Sequence, residues 1–161
     1  MMKNKKMLLL TQGGLIAAVY VVLTVAFAPF SFGQVQVRLA EMLCILPLFT
    51  PAAIPGLFLG CLLGNFLGGA LLPDVLFGSL ATLAGAVGTY ALRKKHPAVA
   101  VVPPIAANTI VVPLVLRYAY GIELPLWMMA GTVGLGEILS VGVLGLALSH
   151  LLERYRKPIF G

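Results

Sequence analysis

Charge is what this chain has least of. Only 10% of its 161 residues are Asp, Glu, Lys or Arg, against about 25% in a soluble domain. Acidic residues are the rarest, five against eleven Lys and Arg. That excludes an ordinary soluble domain. No polar stretch is long enough for a second folding unit, so one domain over residues 1–161 is expected. Cysteine is almost absent. Cys44 and Cys61 lie in apolar runs with no CxxC or Cys/His spacing, which argues against a metal site and reads them as small buried apolar residues. HExxH, GxSxG, paired intramembrane aspartates and a P-loop are all missing. The reading is therefore not an enzyme, with no cofactor and no ATP site of its own.

What the chain has in quantity is apolar surface: 60% hydrophobic residues, with 18 glycines. Both are features of membrane spans. The basic excess does not point to nucleic acid, because most of it sits in three short clusters beside apolar runs. A span needs about 20 mostly apolar residues. Six candidates run from about Leu8 to Pro29, Leu39 to Phe49, Ile54 to Leu72, Val75 to Leu92, Ala98 to Leu116 and Leu126 to Leu151. The second is short and is broken by "TPAAIP", so it either crosses tilted or joins the third through a proline turn. "MMKNKKMLLL" resembles the start of a signal peptide, but the apolar run after it is long for one, and it reads as a retained first span. With six spans, Lys3/Lys5/Lys6, Arg93/Lys94/Lys95 and Arg154/Arg156/Lys157 fall on one side, which the positive-inside rule makes cytoplasmic. The expected fold class is an all-α integral membrane bundle of six transmembrane helices, both termini cytoplasmic, in the cell membrane.

Small residues mark helix faces built for close approach. Gly56, Gly60, Gly64 and Gly68 recur every fourth residue, a row read as packing inside the bundle. On the first helix, Gly14 and Ala18 form a second small-xxx-small face, with Gly13 and Ala17 beside it. Periodicity alone also favours internal packing there, although such a face on an edge helix suits a partner protein.

Polar residues within spans are costly and usually face a cavity or a partner. Here they are Arg38, Glu41, Asn65, Asp74, Asn108 and Glu137, with Gln34 and Gln36 just before the second span. On the six-span topology they gather in the outer half, as a pocket open to the outside requires. Arg38 and Glu41 are three apart and placed to pair. Asp74 follows Pro73 and reads as the N-cap of the fourth helix. Glu123 reads as solvated, and Tyr118, Tyr120 and Trp127 as an interfacial belt. Arg117 is placed to snorkel, and His96 and His150 have no catalytic company. Glu137 is deep, between glycines, and needs a cation or a hydrogen-bond donor; Arg38 and a donor-rich ligand both fit.

The blocks "VRLAEMLCILPLF", "GLFLGCLLGNFLGG", "PDVLFGSLATLAGA", "PPIAANTIVVP" and "VGLGEIL", in this order, resemble the QueT family. These are substrate-binding S components of energy-coupling factor (ECF) transporters. The resemblance implies a six-helix S component that captures a queuosine precursor, 7-aminomethyl-7-deazaguanine. It also implies partnership with an ECF membrane coupling subunit and two ATPase subunits. S components dock that module through an Ala-xxx-Ala face of the first helix, and Gly14-xxx-Ala18 is the nearest match here, with glycine in place of one alanine.

The ligand's chemistry fits the polar set. A deazaguanine presents adjacent N–H donors that a carboxylate accepts, a carbonyl that an amide reads, and a cationic aminomethyl group that wants a second carboxylate. The resemblance thus assigns substrate binding to Glu41 and Glu137, in either order, with Asn65 and Asn108 as amide readers. Arg38 either holds Glu41 or closes the outer gate. Competing readings are an S component for another nucleobase or vitamin, a stand-alone small-solute carrier or channel, and a ligand-free assembly factor.

Overall fold

The computed structural model describes residues 2–28 and 37–160. Gln34, Gln36 and Pro29 lie outside the described residues. Among those described, every regular element is helical. The first helix, α1 (Met2–Ala26), leads to α2 (Leu39–Leu48), which is wound as a 3-10 helix. Then come α3 (Ala53–Leu67), α4 (Leu72–Ala91), the short α5 (Pro97–Ala100) and α6 (Val102–Tyr118). The last long rod is α7 (Leu126–Glu137), a π-helical stretch (Ile138–Gly145) and α8 (Leu146–Arg154), followed by α9 (Arg156–Phe160).

Among the described residues, four helices are long and apolar enough to cross a membrane: Lys5–Ala26, Leu72–Ala91, Pro97–Tyr118 and Leu126–Arg154. The second and third of the six expected spans are shorter. The ten residues of α2 cover about 20 Å at the rise of a 3-10 helix, and the fifteen of α3 about 22 Å. Neither reaches the roughly 30 Å of a hydrocarbon core. The third span had been expected to run to Leu72. It stops at Leu67 because Gly68 and Gly69 follow, and Gly69 turns the chain at φ 81°, a left-handed conformation that glycine adopts freely. Leu72 instead opens α4, with Pro73 in its first turn, where the missing N–H costs nothing.

The 3-10 winding of α2 is unusual over so many residues. It occurs in the centre of the molecule, where eight of its ten residues are buried. Non-α backbone is tolerated at membrane depth where protein surrounds it. Helix α2 packs against α1, α4 and the π-helical stretch. There a β-carbon added at Gly145 would stand 3.3 Å from the Met42 carbonyl oxygen. Ile45, Cys44, Leu57, Cys61 and Val141 join Tyr20 of α1 in the main core.

The glycine row on α3 seats α1. A β-carbon at Gly56 would lie 2.7 Å from the Gly13 carbonyl oxygen, one at Gly60 2.7 Å from the Tyr20 Cβ, and one at Gly64 3.1 Å from Thr24. Internal packing is therefore the right reading for these three positions. Gly14 and Ala18 lie on the opposite, exposed face of α1, and nothing would meet a β-carbon at Gly14 within 4 Å. Of the two small-residue faces, the bundle uses one and leaves the other outward.

Candidate functional site

Helices α2, α3, α4 and α6 and the end of α7 deliver all six intramembrane polar residues to the interior. Arg38, Glu41, Asn65, Asp74, Asn108 and Glu137 are each between 0 and 4% exposed. Arg38 and Glu41 had been expected at the rim of an open pocket, but both are enclosed. The molecule is in a closed arrangement around these groups.

The Arg38–Glu41 pairing inferred from their spacing does not form. Arg38 Nη2 reaches across to α4 and meets Asp74 Oδ2 at 3.4 Å and Oδ1 at 3.5 Å. A 3-10 turn advances three residues, but Arg38 stands before the helix in extended conformation (φ −88°, ψ 98°), so its side chain leaves in another direction. Nor does Arg38 ion-pair with Glu137; the two interact only at longer range.

Asp74 is likewise not the N-cap expected of it. Leu71 occupies that position, and no side chain caps the helix. The Asp74 carboxylate turns inward to Arg38 and accepts a second hydrogen bond from the Tyr120 hydroxyl at 3.1 Å. Tyr120 in turn accepts from the Leu71 N–H at 3.1 Å. Partial burial, aided by the Asp74 charge and against the Leu71 hydrogen bond, pushes the Tyr120 pKa up, which keeps it a donor to Asp74. Tyr118 and Trp127, by contrast, are exposed as an interfacial belt would be. Gly78 makes room for this cluster: a β-carbon there would stand 3.0 Å from Asp74 Oδ1, 3.3 Å from Asn65 Nδ2 and 3.9 Å from Arg38 Nη1. Asp74 and Tyr120 are thus site residues that the sequence reading assigned elsewhere. The signal available was an acid placed one residue after a proline, which capping explains equally well.

Glu41 is fully occupied by neighbours. Tyr20 of α1 donates to Oε1 at 2.5 Å, and the Cys44 thiol donates to Oε2 at 2.9 Å. Thr82 of α4 lies 3.4 Å from Oε1, but its single proton is closer to the Gly78 carbonyl oxygen at 3.1 Å. Cys61 stands beside Thr82 at 3.4 Å and Asn65 at 3.5 Å. Both cysteines are buried, as expected, yet they also serve as weak polar partners in this network.

Glu137 and Asn108 contrast with Glu41. Glu137 Oε2, both side-chain polar atoms of Asn108 and the Ser140 hydroxyl are buried and make no hydrogen bond of normal geometry among the described residues, although Glu137 and Asn108 lie close enough to interact with each other. Leaving such groups unpaired costs about 1–3 kcal/mol each. They come from α6 and from the junction of α7 with the π-helical stretch, a backbone type frequent at functional sites. Formally the enclosure holds one cation, Arg38, against three carboxylates: Glu41, Asp74 and Glu137. Among the described residues it thus has polar atoms without a hydrogen bond and more acidic than basic side chains. Among the described residues no group of three or more His, Cys, Asp or Glu is arranged for a metal ion.

A helical membrane protein whose buried polar and charged side chains gather in its interior is the class that fold and site define. A family model described as the QueT transporter matches residues 10–154. The chain belongs to the QueT transporter family, and it is a multi-pass protein of the cell membrane and not an enzyme. Among curated proteins it is similar to the queuosine precursor transporter QueT of Lactococcus lactis subsp. cremoris (strain MG1363), with 34% identity over 84 residues. That match covers 51% of this chain and 49% of the relative, so it spans about half the relative's length. No solved structure matches the chain.

Proposed function

We propose that this protein is the membrane-embedded substrate-binding S component of an ECF importer. Its cargo is a queuosine precursor of the 7-aminomethyl-7-deazaguanine type, taken from outside. Residues 1–161 form one substrate-binding unit, a six-helix bundle in which the short α2 and α3 cross a locally thinned bilayer beside four full-length spans, with both termini cytoplasmic. The ECF membrane coupling subunit and two ATPase subunits supply the energy. The observation that carries this reading is the set of buried polar atoms without a hydrogen bond on Asn108, Glu137 and Ser140, beside more acidic than basic side chains. A planar base with N–H donors and a carbonyl suits the Asn108 amide and the Glu137 carboxylate. A cationic aminomethyl group suits the surplus of acidic side chains. Arg38, Glu41 and Asn65 complete the binding set. Arg38 is held by Asp74, so it does not compete with the ligand for Glu137.

The test is titration of the purified protein with 7-aminomethyl-7-deazaguanine and with guanine, which lacks the cation. The aminomethyl compound is expected to bind at least tenfold more tightly, the worth of about 1.4 kcal/mol from one charged hydrogen bond. Equal affinities, or no binding of either, overturn the ligand assignment.

The exposed Gly14 and Ala18 face of α1 supports the docking half of the reading. Gly14→Leu or Ala18→Leu is expected to abolish most uptake by cells carrying the whole importer. Ligand affinity of the isolated protein should stay within about twofold, because the substituted side chains project away from the core. A parallel loss of ligand binding would show that the face packs internally instead.

A further inference from the structure

At the far end of α4 from Asp74 lies a concavity of about 510 Å³, whose lining shares no residue with the candidate ligand site. Its lining includes Leu48 and Phe49 at the end of α2, Arg93 and Lys95 after α4, Leu146 at the start of α8 and Arg156 at the start of α9. Three cations, Arg93, Lys95 and Arg156, face it together with one carboxylate, Glu153. That carboxylate is already paired with Arg156 at 3.1 Å.

Both guanidinium groups are exposed, and each has an aromatic neighbour. Arg93 lies 3.9 Å over the centre of the Tyr90 ring and donates to the Tyr90 carbonyl oxygen at 2.9 Å. Arg156 lies 5.6 Å over the Phe49 ring, which is itself stacked on Phe160 at 5.4 Å. Such aromatic support holds an arginine in place while leaving N–H groups to bind an oxyanion. Beside the cations, Leu48, Phe49 and Leu146 supply an apolar wall at the end of a membrane bundle. A free phosphate has use for the cations only. An anionic phospholipid uses both parts, its phosphate on the cations and its first methylenes on the apolar wall.

We propose that this cavity is a binding site for the phosphate headgroup of an anionic phospholipid, seated by Arg93, Lys95 and Arg156. Position and chemistry agree with a leaflet lipid, since basic pockets between helix ends at the cytoplasmic surface recognise such headgroups.

The test uses the full chain in neutral detergent, with lipid binding read by native mass spectrometry. Phosphatidylglycerol is expected to bind, and phosphatidylcholine to bind at least tenfold more weakly. Arg93→Gln combined with Lys95→Gln is expected to weaken phosphatidylglycerol roughly twentyfold, and Arg156→Gln alone roughly fivefold. The charge-keeping pair Arg93→Lys and Lys95→Arg should restore most of the affinity. Thermal unfolding in the same detergent checks folding; if the double variant is unstable, Arg156→Gln decides the matter. Equal binding of the two lipids, or neutral variants that bind like the parent, overturn the proposal. Displacement of the lipid by equimolar inorganic phosphate would assign the site to free phosphate and overturn the lipid reading. Unchanged lipid binding with lost copurification of the ATPase subunits would make the patch a protein-docking surface, which also overturns it.

Discussion

Glu137→Gln weakens binding of 7-aminomethyl-7-deazaguanine roughly ten- to a hundredfold, on the proposed function. The substitution keeps the volume and removes the charge. A buried charged hydrogen bond is worth about 1.5–3 kcal/mol net, which is that range in affinity. Folding survives, because Oε2 makes no hydrogen bond of normal geometry within the described protein and an amide can still meet the neighbouring Asn108. Glu41→Gln behaves in the opposite way. Both Glu41 oxygens already accept hydrogen bonds, from Tyr20 and from Cys44. Turning one oxygen into an NH₂ group sets a donor against a donor, so the expected loss is mainly in melting temperature and only slightly in affinity. From sequence the two glutamates were interchangeable candidates; their surroundings separate them. The measurement is calorimetric titration of each purified variant alongside its thermal unfolding. A Glu137→Gln protein that binds like the parent would remove the carboxylate from the recognition scheme. An equal loss for both variants would make them one electrostatic unit.

The class of the protein and most helix positions were legible because hydrophobic length is a local signal. So was the glycine row at Gly56, Gly60 and Gly64, whose spacing marks a face whatever that face meets. Burial of Arg38, Glu41, Asn65, Asn108 and Glu137 followed from their cost in an apolar span. Their pairing did not follow, because it depends on how helices rotate against one another. Arg38 finds Asp74 36 residues away, while the nearer Glu41 is held by Tyr20 and Cys44. Asp74 and Tyr120 each had a sufficient local explanation, capping for one and an interfacial belt for the other, and local explanations hide long-range partners. The 3-10 winding of α2 was illegible for a related reason. Its short apolar run carries no signal that distinguishes an α-helix from a more extended one, and the surrounding helices decide.

Asp74→Ala is expected to be the most destabilising single change in the site, by about 3–5 kcal/mol, since removing one partner of a buried ion pair is strongly destabilising. The Arg38 guanidinium is 4% exposed and would lose the carboxylate it meets at 3.4 Å. Tyr120 would lose its acceptor at the same time. Asp74→Asn keeps an acceptor for Tyr120 but not the charge, so it falls between the parent and the alanine variant. Capping, the local reading of this residue, predicts instead that asparagine is nearly neutral. The two accounts therefore differ on a single substitution. The double replacement Arg38→Met with Asp74→Leu removes both charges, and a well-packed apolar pair in place of a buried ion pair is often neutral or stabilising. It should therefore be milder than Asp74→Ala. Thermal unfolding of the parent, Arg38→Met, Asp74→Leu and the double variant in one detergent gives the coupling directly. If Asp74→Ala costs no more than about 1 kcal/mol, as an exposed pair would, or if the double variant is worse than either single change, the pair does not hold α2 to α4 in the way described.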